Sequence, residues 1–348
     1  MPIGVALIGA GLFMQDAHLP GIQASPDLEL KAVYSRSLKS AAGIAPDLQL
    51  ARYADDADQG LHHLLERADI RAVIVALPIT KQAHYVRTAL SAGKHVLSEK
   101  PIAKDVAEAV SLIQWYKSEI APKGITWAVA ENWRYLDTVR YAREHLGQLG
   151  KIRQFRTQAY IDCRPGHFTH WKYIELPWRQ KPDHQGGLVL DIGVHHLAAT
   201  RYLLGSDRIT RVNALVAALQ GALPPADTVD AIFQTESGAQ GTFQFSTCSS
   251  LQQDTGYAIV GENGHLRVQN EVVTVQINGG DDVKRLPVER LAVVNEVKAW
   301  GQALAKGAVP PEQRPEEALA DLELVELILK SGGENGAPQF PQHQRIHA

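Results

Sequence analysis

Cysteine is scarce. Cys163 and Cys248 are the only two in 348 residues, too few for a disulfide scaffold or a four-cysteine zinc site. That scarcity fits a reducing compartment, and a cytoplasmic protein is expected. An excess of charge is also missing. The net charge is −3, so no basic field points to nucleic acid or to an anionic membrane. No apolar run approaches the ~18 residues of a membrane span. The opening Met1-Pro2-Ile3-Gly4-Val5-Ala6 lacks the basic and long apolar regions of a secretion signal and runs directly into a strand pattern. Internal repeats and low-complexity tracts are absent too. What remains is the composition of an ordinary globular protein, long enough for two or three domains.

What is present starts with a nucleotide-binding pattern. Ile3 to Ile8 reads as a strand buried on both faces, followed by Gly9-Ala10-Gly11-Leu12-Phe13-Met14. The first two glycines of a dinucleotide fingerprint are there, one for the tight turn and one for close approach of a pyrophosphate. Met14 takes the place of the third. Leu28 to Tyr34 reads as a second strand, ending at Ser35-Arg36. An NAD site places a carboxylate there; hydroxyl and guanidinium groups suit a 2′-phosphate instead, so NADP is favoured over NAD. Helices over 57–67, 82–93 and 105–120 then alternate with strands over 72–77, 95–97 and 125–130. This is the pattern of a doubly wound parallel sheet. Ligands of such sheets sit beyond the carboxyl ends of the strands. Gly9, Gly11, Leu12, Phe13, Ser35, Arg36, Leu77, Pro78, Glu99 and Lys100 are therefore expected around one cofactor crevice. Lys100, before Pro101 at a strand end, is a candidate to hydrogen-bond a substrate oxygen.

From Gly150 the texture changes. Residues 151–161 read as a half-exposed strand. An irregular stretch over 163–187 follows, rich in Trp, His and Arg, as in a pocket wall or lid. Tyr160, His167, Trp178 and His196 are the candidate substrate contacts. Gly186-Gly187 then opens an expected helix over 188–204, on which Asp191 and His195 stand four apart and share a face. A carboxylate beside an imidazole is what proton transfer needs. Six short β-rich segments between 211 and 277, split by turn signals, predict a large, mostly antiparallel open sheet. Two helices, over 291–306 and 315–331, close the chain before a polar surface arm. The expected division is a first domain over 1–130, an α+β domain over 131–331 and a tail over 332–348.

Taken together, Gly9-Ala10-Gly11, Glu99-Lys100-Pro101 and Gly186-Gly187 followed by Asp191-Ile192-Gly193-Val194-His195 resemble the Gfo/Idh/MocA family of NAD(P)-dependent oxidoreductases. Ala130-Glu131-Asn132-Trp133 and Trp178-Arg179-Gln180-Lys181-Pro182 resemble a fungal NADP-dependent branch of it, and on that footing Asn132, Trp178 and Arg179 join the expected cofactor contacts. The resemblance implies that Lys100 meets the substrate oxygen, that His195 is the general acid/base, and that Asp191 orients the substrate or that histidine. It also implies a homodimer or homotetramer through the second sheet. Met14, Ser35-Arg36 and the 163–187 stretch depart from the general pattern.

The resulting expectation is an NADP-dependent dehydrogenase or reductase of a small polar carbonyl or alcohol: a sugar, polyol, aldehyde or ketone. The alternatives are reduction of an imine and a non-catalytic NAD(P)-binding regulator of the same fold. A metal site on Asp191, His195 and His196 is disfavoured, because adjacent helical residues point roughly 100° apart.

Overall fold

The computed structural model describes residues 1–163, 172–220, 223–251, 254–287 and 292–344. They fall into two compact units, Met1–Asn132 with Leu291–Ala318, and Trp133–Arg290 with Leu319–Ala348.

Six parallel strands form the sheet of the first unit, in the order β3-β2-β1-β4-β5-β6. They are β1 (Ile3–Ile8), β2 (Leu28–Ser35), β3 (Ala51–Ala54), β4 (Ala72–Val75), β5 (His95–Ser98) and β6 (Trp127–Val129). β1 and β4 are buried at every position, because crossover helices cover both faces of a parallel sheet. The helices of this unit are α1 (Leu19–Ala24), α2 (Leu38–Gly43), α3 (Leu61–Glu66), α4 (Ile79–Ser91) and α5 (Val106–Trp115). The strand order reverses between β1 and β4, the switch point at which such sheets bind ligands.

Two local features correct the sequence reading. β3 carries no strong apolar alternation and went unread. The helix after the glycine loop begins with a π-helical turn, Met14–His18, in which the Leu19 N–H bonds the Met14 carbonyl. Met14 is wholly buried in the core. A thioether thus fills the space a third glycine would leave, and the helix is widened at that point.

The second unit carries an eight-stranded sheet, ordered β14-β13-β12-β11-β7-β10-β9-β8, with only β7 and β10 parallel. The strands are β7 (Ile152–Tyr160), β8 (Ile209–Ala217), β9 (Thr228–Thr235), β10 (Gln240–Ser246), β11 (Gly256–Gly261), β12 (Gly264–Gln269), β13 (Val272–Ile277) and β14 (Gly280–Arg285). β14 is exposed throughout and largely charged, which hid it from periodicity. The helices are α6 (Asp137–His145), α7 (Pro177–Gln180), α8 (Leu188–Asp191) and α9 (Gly193–Leu204). One face of the sheet packs on α9 through Phe155, Thr157 and Ala159, with Thr157 and Thr200 hydroxyls 2.6 Å apart. The other face presents Tyr160, Leu215, Ile232 and Val260.

Two helices remain. α10 (Val293–Leu304) belongs to the first unit, although the sequence grouped it with the second. Its Val297 and Trp300 lie in the first unit's core, and a side chain at Gly21 would come 2.9 Å from Val297. α11 (Pro315–Gly333) runs across the division after Ala318. The chain beyond it is no free arm: Gln339 exchanges backbone hydrogen bonds with Val212 of β8, and Gln344 is buried.

Candidate active site

In the first unit the carboxyl ends of the strands carry the expected residues. Gly9 ends β1 with φ +117°, and a side chain there would stand 2.3 Å from the carbonyl oxygen of Ala76. Only glycine fits. Nothing lies within 4 Å of the place a side chain would take on Gly11. The loop backbone running into Leu12 and Phe13 therefore faces open space, the setting in which peptide N–H groups receive a pyrophosphate. These residues fit a dinucleotide. Ser35 ends β2 and Arg36 is exposed beside it. The Tyr34 hydroxyl donates to Asp55 at 2.8 Å, and burial pushes that phenol well above its usual range. Leu77 follows β4, Pro78 caps α4, and Asn132 is buried after β6.

Glu99-Lys100-Pro101 follows β5, with a cis peptide before the proline. Glu99 accepts the Lys100 backbone N–H on Oε2 at 3.0 Å and meets His18 Nε2 through Oε1 at 2.7 Å. Gln82 donates from Nε2 to the carbonyls of Glu99 and Pro101. Glu99, expected at the cofactor, brackets the lysine turn through its contacts with Lys100 and His18.

In the second unit the glycine pair has φ +71° and +52°. A side chain on Gly187 would stand 2.4 Å from the Pro224 carbonyl oxygen. The expected helix over 188–204 is interrupted at Ile192, where φ is −107°. The four-residue spacing therefore does not fix a common face for Asp191 and His195. Asp191, 2% exposed, pairs with Arg179: Nε to Oδ2 at 2.5 Å, Nη2 to Oδ1 at 3.3 Å. Arg179 also lies over the Trp178 ring at 4.2 Å. His195 is stacked on Trp133, ring centroids 4.3 Å apart. His196 points into the interior and shares a hydrogen bond with Tyr257 through Nδ1 at 2.9 Å. That is a packing role for His196, on the α9 side of the sheet.

Tyr160 is on the opposite face of the sheet from α9, bonded to Gln244 at 3.0 Å. It is not gathered with the other candidates, because the strand alternation turns it away from Thr157 and Ala159. His167 lies outside the described residues. Sequence reasoning gave no role to His18, Gln82 or Trp133. Trp133 at least carried a signal, as part of the Ala130–Trp133 segment. Among the described residues no group of three or more His, Cys, Asp or Glu side chains is arranged to hold a metal, and no helix is long and apolar enough to cross a membrane.

A bare glycine loop at the switch point of a doubly wound sheet, with a second unit in which buried Asp191 pairs with Arg179 and His195 stacks on Trp133, fits a dinucleotide-binding oxidoreductase. Comparison with known proteins narrows the class. Residues 3–121 match the oxidoreductase family with NAD-binding Rossmann fold, and residues 139–267 match the GFO/IDH/MocA C-terminal domain. The chain belongs to the Gfo/Idh/MocA family of NAD(P)-dependent dehydrogenases and reductases. It is 36% identical over 348 residues to the dehydrogenase FPY6 of Fusarium mangiferae, covering 96% of this chain and 98% of that one. It is 28% identical over 344 residues to the dTDP-3,4-didehydro-2,6-dideoxy-alpha-D-glucose 3-reductase of Actinomadura kijaniata, covering 94% and 95%. Among solved structures, KijD10, a 3-ketoreductase from Actinomadura kijaniata in complex with NADP and TDP-benzene, superposes with a TM-score of 0.77 at 25% identity, covering 95% and 98%.

Proposed function

We propose that this protein is an NADP-dependent oxidoreductase of a small polar carbonyl or alcohol, with a sugar or polyol as the leading class. The observation that carries the reading is the lysine turn. Lys100 stands at the carboxyl end of β5, on the same end of the sheet as the open Gly9–Phe13 loop, with its backbone fixed on both sides. The names of two relatives, a sugar 3-reductase and a 3-ketoreductase bound to NADP, support the substrate class.

Gly9, Gly11, Leu12 and Phe13 hold the pyrophosphate, Ser35 and Arg36 the 2′-phosphate, and Leu77, Pro78 and Asn132 the remainder of the cofactor. When bound, the nicotinamide supplies or takes up the hydride. The Lys100 ammonium hydrogen-bonds the substrate oxygen and offsets charge developing on it. His195 delivers or removes the proton on that oxygen. Asp191, neutralised by Arg179, holds the segment that leads into α9, with Trp178 as a wall of the substrate site. The proposed domain division follows the two sheets, and the assembly is a homodimer or homotetramer through the uncovered sheet face.

A panel of sugars, polyols, aldehydes and ketones, followed by NADPH absorbance in both directions, tests the reading. Lys100→Ala and His195→Ala are each expected to lower turnover by about 10²–10⁴-fold. Near-normal turnover in both would overturn it. Light scattering tests the assembly, and a monomer at micromolar concentration would remove that part.

A further inference from the structure

We propose that His18 is a positioning residue for Lys100, acting through the carboxylate of Glu99. The proposal rests on the reading of Lys100 as the group that meets the substrate oxygen.

His18 closes the π-helical turn that follows the glycine loop, and it is completely buried. Histidines so enclosed need a reason, because the ring must find partners without water. Nε2 has one, Glu99 Oε1 at 2.7 Å. A carboxylate only accepts, so the Nε2 position carries a proton. The other nitrogen, Nδ1, is buried and has no hydrogen-bond partner among the described residues. The ring is thus aimed at Glu99 alone, with Phe13 edge-on to it at 5.5 Å.

Glu99 passes the constraint on. Its second oxygen, Oε2, accepts the backbone N–H of Lys100. On the far side Gln82, 1% exposed, holds the carbonyls of Glu99 and Pro101. The peptide units flanking Lys100 are therefore both anchored. Of these anchors, His18 is the one that comes from the glycine-loop helix. It therefore ties the element that receives pyrophosphate to the turn that presents the lysine. A charge-assisted bond in a buried setting is suited to that task, since it is short and directional.

The test uses the full-length protein and needs no substrate. Hydrogen exchange by NMR reads the Lys100 amide, and acetylation by N-hydroxysuccinimidyl acetate, followed by mass spectrometry, reads its ammonium against the other lysines. In His18→Leu the Lys100 amide is expected to exchange at least about tenfold faster, with its acetylation rate altered severalfold. Exchange at Val96 and Leu97 in β5 and acetylation at Lys31 and Lys330 stay as before. His18→Gln, which keeps an N–H donor, is expected to restore both readings most of the way. Glu99→Ala should reproduce His18→Leu, and the double variant should be no worse than either, as for residues acting in one chain. Unchanged Lys100 readings in both His18→Leu and Glu99→Ala would overturn the proposal. So would equal loosening of the whole unit in all variants, His18→Gln included. Failure of the underlying reading looks different: Lys100→Ala would retain turnover while the exchange results stood.

Discussion

The indole of Trp133 lies nearly parallel to the imidazole of His195, with centroids 4.3 Å and planes 18° apart. His195 is only 8% exposed, and the stack covers one face of its ring. Trp133→Ala is expected to lower turnover by about 10–100-fold, the cost of misplacing the proposed proton-transfer group. Trp133→Phe, which keeps a ring face, should retain most of it. Initial rates by NADPH absorbance decide; equal rates in the alanine variant and the unmodified protein would deny the stack a role.

The proposed preference for NADP rests on the end of β2. With Arg36 exposed and Ser35 beside it, NADPH should bind more tightly than NADH in a fluorescence titration. Ser35→Asp with Arg36→Ala should reverse the order by about tenfold in each direction, ~1.4 kcal/mol. Tighter NADH binding by the unmodified protein would refute the NADP reading.

A buried ion triad holds the second unit. Asp321 of α11 accepts from Arg134 at 2.6 Å and from Arg201 at 2.7 Å, and all three are nearly inaccessible. Asp321→Ala removes the carboxylate shared by two buried guanidinium groups and is expected to cost about 3–5 kcal/mol of stability. Urea unfolding measures it. A loss under about 1 kcal/mol would mean that water reaches the arginines.

The two thiols should behave differently. Burial pushes the Cys163 thiol up to about 12, whereas Cys248 is half-buried. Iodoacetamide at pH 8 should label Cys248 first and spare Cys163 until denaturant is added. Since the folded-state value is the raised one, the unfolded chain loses this proton first. The contribution to stability is complete below about pH 8.5 and declines above it. Tryptic mapping that finds Cys163 labelled first in the native protein would contradict this.

How much of this was legible in the sequence follows contact distance along the chain. The glycine loop, the strand ends at Ser35, Pro78 and Lys100, and the antiparallel strands after 209 depend on neighbouring residues, and local pattern revealed them. β3 and β14 lacked apolar alternation, so nothing local marked them. The break at Ile192 follows a glycine pair at positive φ, with room at Gly187 closed by Pro224 of another segment, and no local periodicity marks it. Tyr160 was named as a candidate substrate contact, but the face it occupies depends on where α9 packs. His18 and Glu99 are 81 positions apart, and no spacing rule joins them.

The docked C-terminal chain has a consequence for how copies of this protein can meet. A sheet of eight strands has two borders, each a row of backbone groups that could template another strand. Gln339 occupies the Val212 backbone on one border, and Ser331 takes the Ala214 N–H there. The other border is β14, with Asp281, Asp282, Lys284 and Arg285 along it. Strand-by-strand growth into fibrils is therefore blocked at both margins. Removing residues 334–344 would reopen the first by uncovering the Val212 backbone.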